Sequence, residues 1–376
     1  MIVFNKPHLT GNETQHIGAA VASGQISGNG IYTKKCQQFF EKFIESPKNL
    51  LTTSCTDALE MTAILANIQA GYEVIMPTFT FVSTANAFIL RGAKVIFVDS
   101  RDDHPGMDED KIEEAITENT VAIVPVHYAG VACDMDKILA LAKKYNLIVI
   151  EDAAQGIDSF YKGKPLGAIG DMGCFSFHET KNIQCGEGGL LSINNAIYKE
   201  RAEIIWEKGT NRSAFWRGEV DKYNWVDIGS SYLPSEITAA FLYAQLEELE
   251  NIQKKRKEIW NQYNDGLSSL KNIGLGLPNM PKYATNNAHM FYLVCRSQDE
   301  RNRLIEHLKQ NNINAVFHYI CLHDSPYYHY RHDGRQMPNA KKYEECLVRL
   351  PLWVDLGKEQ IDSIVNVILN FYFQRV

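Results

Sequence analysis

Between about residues 50 and 195, short apolar runs alternate with amphipathic stretches. The runs at 73–76, 94–98, 121–126, 147–150, 174–177 and 190–193 are rich in Val, Ile, Leu and Phe and have the length of strands. Apolar residues recur at helical spacing over 110–116 and 135–145. This alternation predicts an α/β fold: a large domain whose mostly parallel central sheet lies between helices. Open sheets of that kind bind ligands beyond the carboxyl ends of their strands. Chemistry is therefore expected in 77–83, 127–130, 151–156 and 178–189. Past Pro234 the pattern lengthens into one helix, with Ser235 as its N-cap and Ile252, Ile259 and Tyr263 on one face. Its Lys254-Lys255-Arg256-Lys257 run reads as a solvated face, and Gly266 can end it. It is expected to lead from the large domain, residues 1–250, into a smaller α+β domain, residues 251–376.

Charge narrows the class of function. The 376 residues carry 38 Lys+Arg against 45 Asp+Glu, a net charge of −7, and 45% are hydrophobic. That balance provides ample core and argues against nucleic acid as a partner, so any anionic ligand needs a local site. Eight dispersed cysteines without a CxxC pair read as the reduced thiols of a cytoplasmic protein. No leader and no apolar run of membrane-spanning length is expected to tie the protein to a membrane. GxxxxGK[ST], GxGxxG and HExxH are absent, and His318 and His323 are too isolated to suggest a metal.

Four segments at strand ends carry candidate chemistry. In Phe175-Ser176-Phe177-His178-Glu179-Thr180-Lys181-Asn182, a lysine close after a strand can form a Schiff base if its surroundings depress its pKa; otherwise it is a surface charge. Glu151-Asp152 ends a buried strand, where a carboxylate needs a partner. Asp152 can pair with the ring nitrogen of pyridoxal phosphate (PLP), cap a helix, or serve as a magnesium-type ligand. Ser54-Cys55-Thr56 opens an apolar helix whose free N–H groups suit a phosphate, although capping alone also explains these residues. Phe81 can stack on a planar cofactor or belong to the core.

In this order, the segments resemble the PLP-dependent sugar-nucleotide aminotransferases of the DegT/StrS type, built on the fold-type-I architecture. The likeness runs from Ser27-Gly28-Asn29-Gly30 to Arg349-Leu350-Pro351-Leu352. It includes CQQ (36–38), VIMPTFTFVSTANAF (74–88), VPVHYAGVAC (124–133), CFSFHETKN (174–182), EKGTNRS (207–213) and DIGSSYL (227–233). The resemblance implies that Lys181 carries the cofactor and moves the proton, while Asp152 binds the ring nitrogen. It implies that Gln155 contacts the phenolic oxygen and Phe81 covers the ring. Ser176 and the N–H groups of Cys55 and Thr56 would then hold the phosphate. Members often have glycine where this chain has Cys55. Many also donate an asparagine across a dimer interface, from the stretch where Ser230 and Ser231 stand here. A homodimer with shared sites is implied. A related dehydrating branch replaces the lysine by histidine, so Lys181 favours transamination.

The expected reaction uses L-glutamate, released as 2-oxoglutarate, to aminate dTDP-4-keto-6-deoxy-D-glucose. The product is dTDP-4-amino-4,6-dideoxy-D-galactose for surface polysaccharide. Alternatives are its 4-epimer, a 3-amino-3,6-dideoxyhexose, or a PLP-binding sensor without turnover. Between 208 and 225, Lys208, Arg212, Arg217 and Lys222 interleave with Phe215, Trp216, Tyr223 and Trp225. Such a loop suits a nucleotide diphosphate, or else forms a subunit contact or ordinary surface. Arg212, Lys222, His318, Tyr319 and His323 are the candidate sugar-nucleotide residues.

Overall fold

The structure, a computed structural model, describes residues 1–373. Its main sheet is built from β1 (Asn49–Thr52), β2 (Glu73–Pro77), β3 (Lys94–Val98), β4 (Thr120–Ile123) and β5 (Ile148–Asp152). After a hairpin of β6 (Phe160–Tyr161) and β7 (Lys164–Pro165), β8 (Met172–Ser176) and β9 (Gly189–Ile193) complete it. The order is β1-β9-β8-β5-β4-β2-β3, with β9 antiparallel to both its neighbours and the other pairs parallel. Val74, Met76, Val95, Phe97 and Val124 pack into one apolar layer, and Ile75, Ile96, Val98, Ile123 and Val149 into the opposite one. Both faces are covered, so these strands read as continuous apolar runs rather than alternating ones.

The helices of this part are α1 (Glu13–Ala22), α2 (Ile31–Phe43), α3 (Cys55–Leu65), α4 (Val82–Ile89), α5 (Met135–Tyr145), α6 (Lys199–Trp206), α7 (Arg212–Trp216) and α8 (Glu236–Glu247). Strand β2 leads through α4 outward to β3, whereas β4 and β5 lie on the other side of β2. The carboxyl ends of β2, β4 and β5 thus flank the point where the strand order reverses, where a ligand crevice forms. The segment 110–116 forms two turns of 3-10 helix (Glu109–Lys111, Glu113–Ala115) instead of an amphipathic helix. The Glu109 carboxylate is drawn to Arg101 (3.1 Å) and to the Asp134 N–H (2.6 Å), which fixes a tight local path.

The long helix past Pro234 is broken at Glu248, where α9 (Leu249–Gly266) begins; Ser235 caps α8 by accepting from the Thr238 N–H. Arg256 departs from the solvated-face reading. It is buried and donates to the carbonyls of Ala288 (3.2 Å) and His289 (2.8 Å). The smaller sheet contains β10 (Phe291–Val294), β11 (Val316–Phe317) and β12 (Leu347–Leu350), with β12 central. Around it lie α10 (Gln298–Gln310), α11 (Pro338–Cys346) and α12 (Lys358–Phe373). Packing partners change along α9: Leu249 and Ile252 join Phe40 and Leu246, while Ile259, Trp260 and Tyr263 join Phe291, Leu350 and Ile364. We propose that the domain division falls inside α9. The N-terminus crosses it, because Ile2 bridges to Ile313 and packs on the smaller core. No helix among the described residues is long and apolar enough to cross a membrane.

Candidate active site

A cleft of about 560 Å³ opens at the strand ends, bounded on its far side by the smaller domain. It brings together Cys55, Thr56, Phe81, Asp152, Gln155, Ser176, Lys181, His318 and Tyr319. Its size suits a small-molecule ligand.

Strand alternation separates the two acids at the end of β5. Glu151 is fully buried and committed: its carboxylate accepts from His127 Nε2 (2.9 Å) and the N–H groups of Gly167 (2.8 Å), Ile169 (2.7 Å) and Gly170 (2.7 Å). Asp152 faces the cleft and is 5% exposed. Its Oδ2 accepts from the Thr84 hydroxyl (2.7 Å) and its Oδ1 from the Ala154 N–H (3.1 Å). Because Thr84 donates there, its hydroxyl is free to accept from that of Thr80 (3.0 Å). Thr80 and Thr84 carry no strong sequence signal beyond their four-residue spacing where β2 leads into α4.

Lys181 follows β8 in a turn closed by its N–H on the His178 carbonyl (2.8 Å). Burial holds its amine below the ordinary lysine value, with Arg349 pushing the same way and Cys55 and Asp152 opposing. Such an amine is more readily deprotonated and hence more nucleophilic. Gln155 is oriented by the Ala129 N–H, which donates to its Oε1 (2.6 Å); this leaves Nε2 as the cleft-side donor near the Tyr319 hydroxyl (3.4 Å).

The N-terminus of α3 presents the N–H groups of Cys55 and Thr56, while Ser54 caps Asp57 (3.0 Å). Ser176 and Gly189 lie opposite each other where β8 and β9 meet this turn. A Cβ on Gly189 would lie 2.3 Å from the Ser54 carbonyl carbon and 2.4 Å from the Cys55 nitrogen. Gly189→Ala is therefore expected to displace the anion cradle and to destabilise the fold by about 1–3 kcal/mol. A lowered denaturant midpoint together with weakened PLP binding in a fluorescence titration would register both effects.

The loop carrying Lys181 is anchored by a buried amide network. Asn182 Nδ2 donates to Gln253 Oε1 and to the Asn287 carbonyl, both at 2.8 Å. Its Oδ1 must then accept from His289 Nδ1 (2.9 Å), leaving His289 Nε2 without a proton on a ring that lines the cleft. Burial and the cations Lys181, Arg256 and Arg349 hold the His289 pKa well below the ordinary histidine value. Nitrogen-15 NMR is expected to show one neutral Nδ1–H tautomer persisting well below the pH at which an ordinary histidine protonates. The unfolded chain protonates this ring near pH 6.5 and the folded chain does not, so its linkage lowers stability as pH falls below that value. The slope is at most about 1.4 kcal/mol per pH unit.

Not every expected residue reaches the cleft. His323 is a correction: it is 9% exposed, its Nδ1 is 2.7 Å from the Thr78 hydroxyl, and its other edge faces Asp324 at 3.5 Å. It supports the Thr78 turn from behind instead of lining the site. Arg212, Lys222, Ser230 and Ser231 are exposed and lie outside the cleft of a single chain. Arg212 lies 4.0 Å from Glu207 and over Trp216, and Ser231 bridges to Glu207. They share this surface with Tyr223 and with Trp225, which is 84% exposed. His318 and Tyr319 do line the cleft, with His318 Nδ1 3.0 Å from the Tyr128 hydroxyl.

The profile of the DegT/DnrJ/EryC1/StrS aminotransferase family matches residues 7–369. An uncharacterized protein of Methanocaldococcus jannaschii is 35% identical over 348 residues, which is 90% of this chain and 89% of that protein. DesV of S. venezuelae, solved in complex with a ketimine intermediate, is similar with a TM-score of 0.88 at 27% identity, covering 97% of this chain and 95% of its own. A Streptococcus pneumoniae protein proposed to be a sugar aminotransferase, solved in its PLP form, has a TM-score of 0.88 at 26% identity and 98% coverage of both chains. Both structures share the α/β architecture described above.

Proposed function

The chain belongs to the DegT/DnrJ/EryC1/StrS aminotransferase family, and on that premise we propose that it carries the amino group of L-glutamate to carbon 4 of dTDP-4-keto-6-deoxy-D-glucose. The products are 2-oxoglutarate and dTDP-4-amino-4,6-dideoxy-D-galactose, a precursor for surface polysaccharide. The enzyme is a PLP-dependent sugar aminotransferase. One observation carries the reading: a lysine amine depressed by burial shares its cleft with a buried carboxylate and the N-terminus of α3. The choice of sugar is the expectation drawn from the sequence resemblance carried by 36–38, 74–88, 124–133, 174–182, 207–213 and 227–233.

The residues fit PLP, because the N-terminus of α3 offers unpaired N–H groups in the cleft and Gly189, where a Cβ would collide with Ser54 and Cys55, lets the chain pass close against it. PLP supplies an aldehyde carbon that accepts the amino group and a ring that withdraws electrons from the reacting carbon. Lys181 Nζ is the attachment point. Once freed, it takes a proton from the donor's α-carbon and returns one at sugar carbon 4. Asp152, fixed by Thr84 and Ala154, would hold the proton on the ring nitrogen. Gln155 Nε2 would donate to the ring oxygen, Phe81 would lie against the ring, and the N–H groups of Cys55 and Thr56 with Ser176 would hold the phosphate. His318 and Tyr319 face the sugar. Arg212, Lys222, Ser230 and Ser231 serve the site of a second copy, which accounts for their position on an aromatic surface outside their own cleft and makes the enzyme a homodimer.

Incubation with L-glutamate and dTDP-4-keto-6-deoxyglucose, followed by NMR assignment of the aminated carbon, tests the reading. An axial amine at carbon 4 is expected. An equatorial amine, or amination only of a 3-keto isomer, refutes the galactose product. A visible PLP band that glutamate never bleaches refutes transamination by this chain.

A further inference from the structure

One charged residue interrupts the apolar strand β12. Leu347, Val348 and Leu350 are at most 1% exposed, and Val348 and Leu350 point into the smaller core. Alternation turns Arg349 to the other face, where it lines the cleft with Lys181, His318 and Tyr319. Its guanidinium lies 4.5 Å from the centre of the Phe4 ring, and its Nε is buried without a hydrogen-bond partner. The groups whose charge it senses are the Tyr128 and Tyr319 hydroxyls, not a carboxylate. Burial accordingly pushes its pKa down. Its positive charge reaches Lys181, His289 and His318 in turn.

A desolvated guanidinium is unfavourable unless an anion joins it. Among the described residues lining the cleft, only Lys181 and Arg349 are lysine or arginine. The Lys181 amine is taken up by the cofactor, and the α3 N-terminus serves the phosphate. The carboxylates facing the cleft are Asp152, held by Thr84 and Ala154, and the exposed Glu187. Of the donor's two carboxylates, the one on the reacting carbon must enter the cleft beside Lys181, and Arg349 is the remaining cation lining that cleft. Arginine also matches a carboxylate geometrically, through two parallel N–H donors.

We propose that Arg349 is the donor-carboxylate site: its guanidinium binds the α-carboxylate of the amino acid in the first half-reaction and releases it with the oxo acid. The inference rests on the reading that an amino acid supplies the amino group. It accounts for how one cleft accepts both a small dicarboxylate and a sugar whose reacting end is uncharged. The sugar nucleotide's own charge lies on its diphosphate, away from the reacting carbon.

The test compares wild type, Arg349→Lys and Arg349→Met as PLP-loaded protein. The half-saturating L-glutamate concentration is read from single-turnover bleaching, and binding of glutarate, a dicarboxylate without an amine, from thermal shift. In Arg349→Met the glutamate value is expected to rise about 30-fold or more and the glutarate shift to disappear, with Arg349→Lys intermediate. The half-saturating dTDP-amino sugar concentration in the half-reaction run backwards is expected to change less than about threefold, since no carboxylate enters it, while the rates of both half-reactions share the change that the lost charge brings to Lys181. Unchanged glutamate and glutarate binding in Arg349→Met overturns the proposal, as does a loss confined to the sugar nucleotide. Wild-type protein that glutamate fails to bleach refutes the donor reading instead, and glutarate binding alone then decides the role of Arg349.

Discussion

Lys181→Ala is expected to lower turnover by at least about 10³-fold while leaving the fold intact, because one amine serves as both attachment point and proton carrier. The surrounding structure does not depend on that amine. The turn is closed by the backbone of residues 178 and 181, and the loop is anchored through Asn182 to Gln253, Asn287 and His289. Burial already disfavours the charged amine, so its removal takes away an unfavourable desolvation rather than a stabilising contact. The melting temperature of the cofactor-free variant should therefore match or exceed that of wild type. Borohydride reduction and peptide mapping separate the lysine's two roles: wild type should carry the label on the peptide containing residue 181, and the variant none. Lys181→Arg keeps a positive charge but offers no amine for attachment, so it should be equally inactive. Wild-type labelling at another lysine, or near-normal turnover by either variant, would sink the assignment.

Local pattern made most of the large sheet legible, since strands covered on both faces leave long apolar runs. Strand β1 lacked that signal: it offers only Leu50 and Leu51, and its place is set by pairing with β9, some 140 residues later in the chain. The 110–116 stretch has helical spacing, but the Glu109 carboxylate is claimed by Arg101 and Asp134 from outside the segment. Arg256 looked like one solvated charge among four because its carbonyl partners lie more than 30 residues further along. The same limit divides the site. Asp152 and Ser176 end strands that the pattern reveals, and Gln155 and Lys181 follow them closely, so their convergence was foreseeable from topology. Thr84, His289 and Arg349 depend on neighbours brought by other elements. Arg349 had one usable signal, a lone cation inside an apolar strand. His323 shows the converse: a histidine near the sugar-side segment suggests a ligand, and only the fold reveals that its ring is engaged by Thr78.

Asp152→Asn separates charge from shape. The amide can retain the Ala154 N–H contact through its oxygen and turn its NH₂ toward Thr84, whose hydroxyl can then rotate to donate to Thr80. The loop should remain in place. What disappears is the negative charge that holds a proton on the cofactor's ring nitrogen. Losing one member of a desolvated ion pair costs about 3–5 kcal/mol, which corresponds to a fall in kcat of about 10²- to 10⁴-fold. The lysine is untouched, so borohydride should still label the peptide containing residue 181, in contrast to Lys181→Ala. Thr84→Val removes one hydrogen bond to Asp152 and leaves the charge, so about a tenfold loss or less is expected. The ranking of the two variants carries the argument. If Asp152→Asn turns over as fast as Thr84→Val, the carboxylate contributes through position alone and the ring nitrogen does not need its charge.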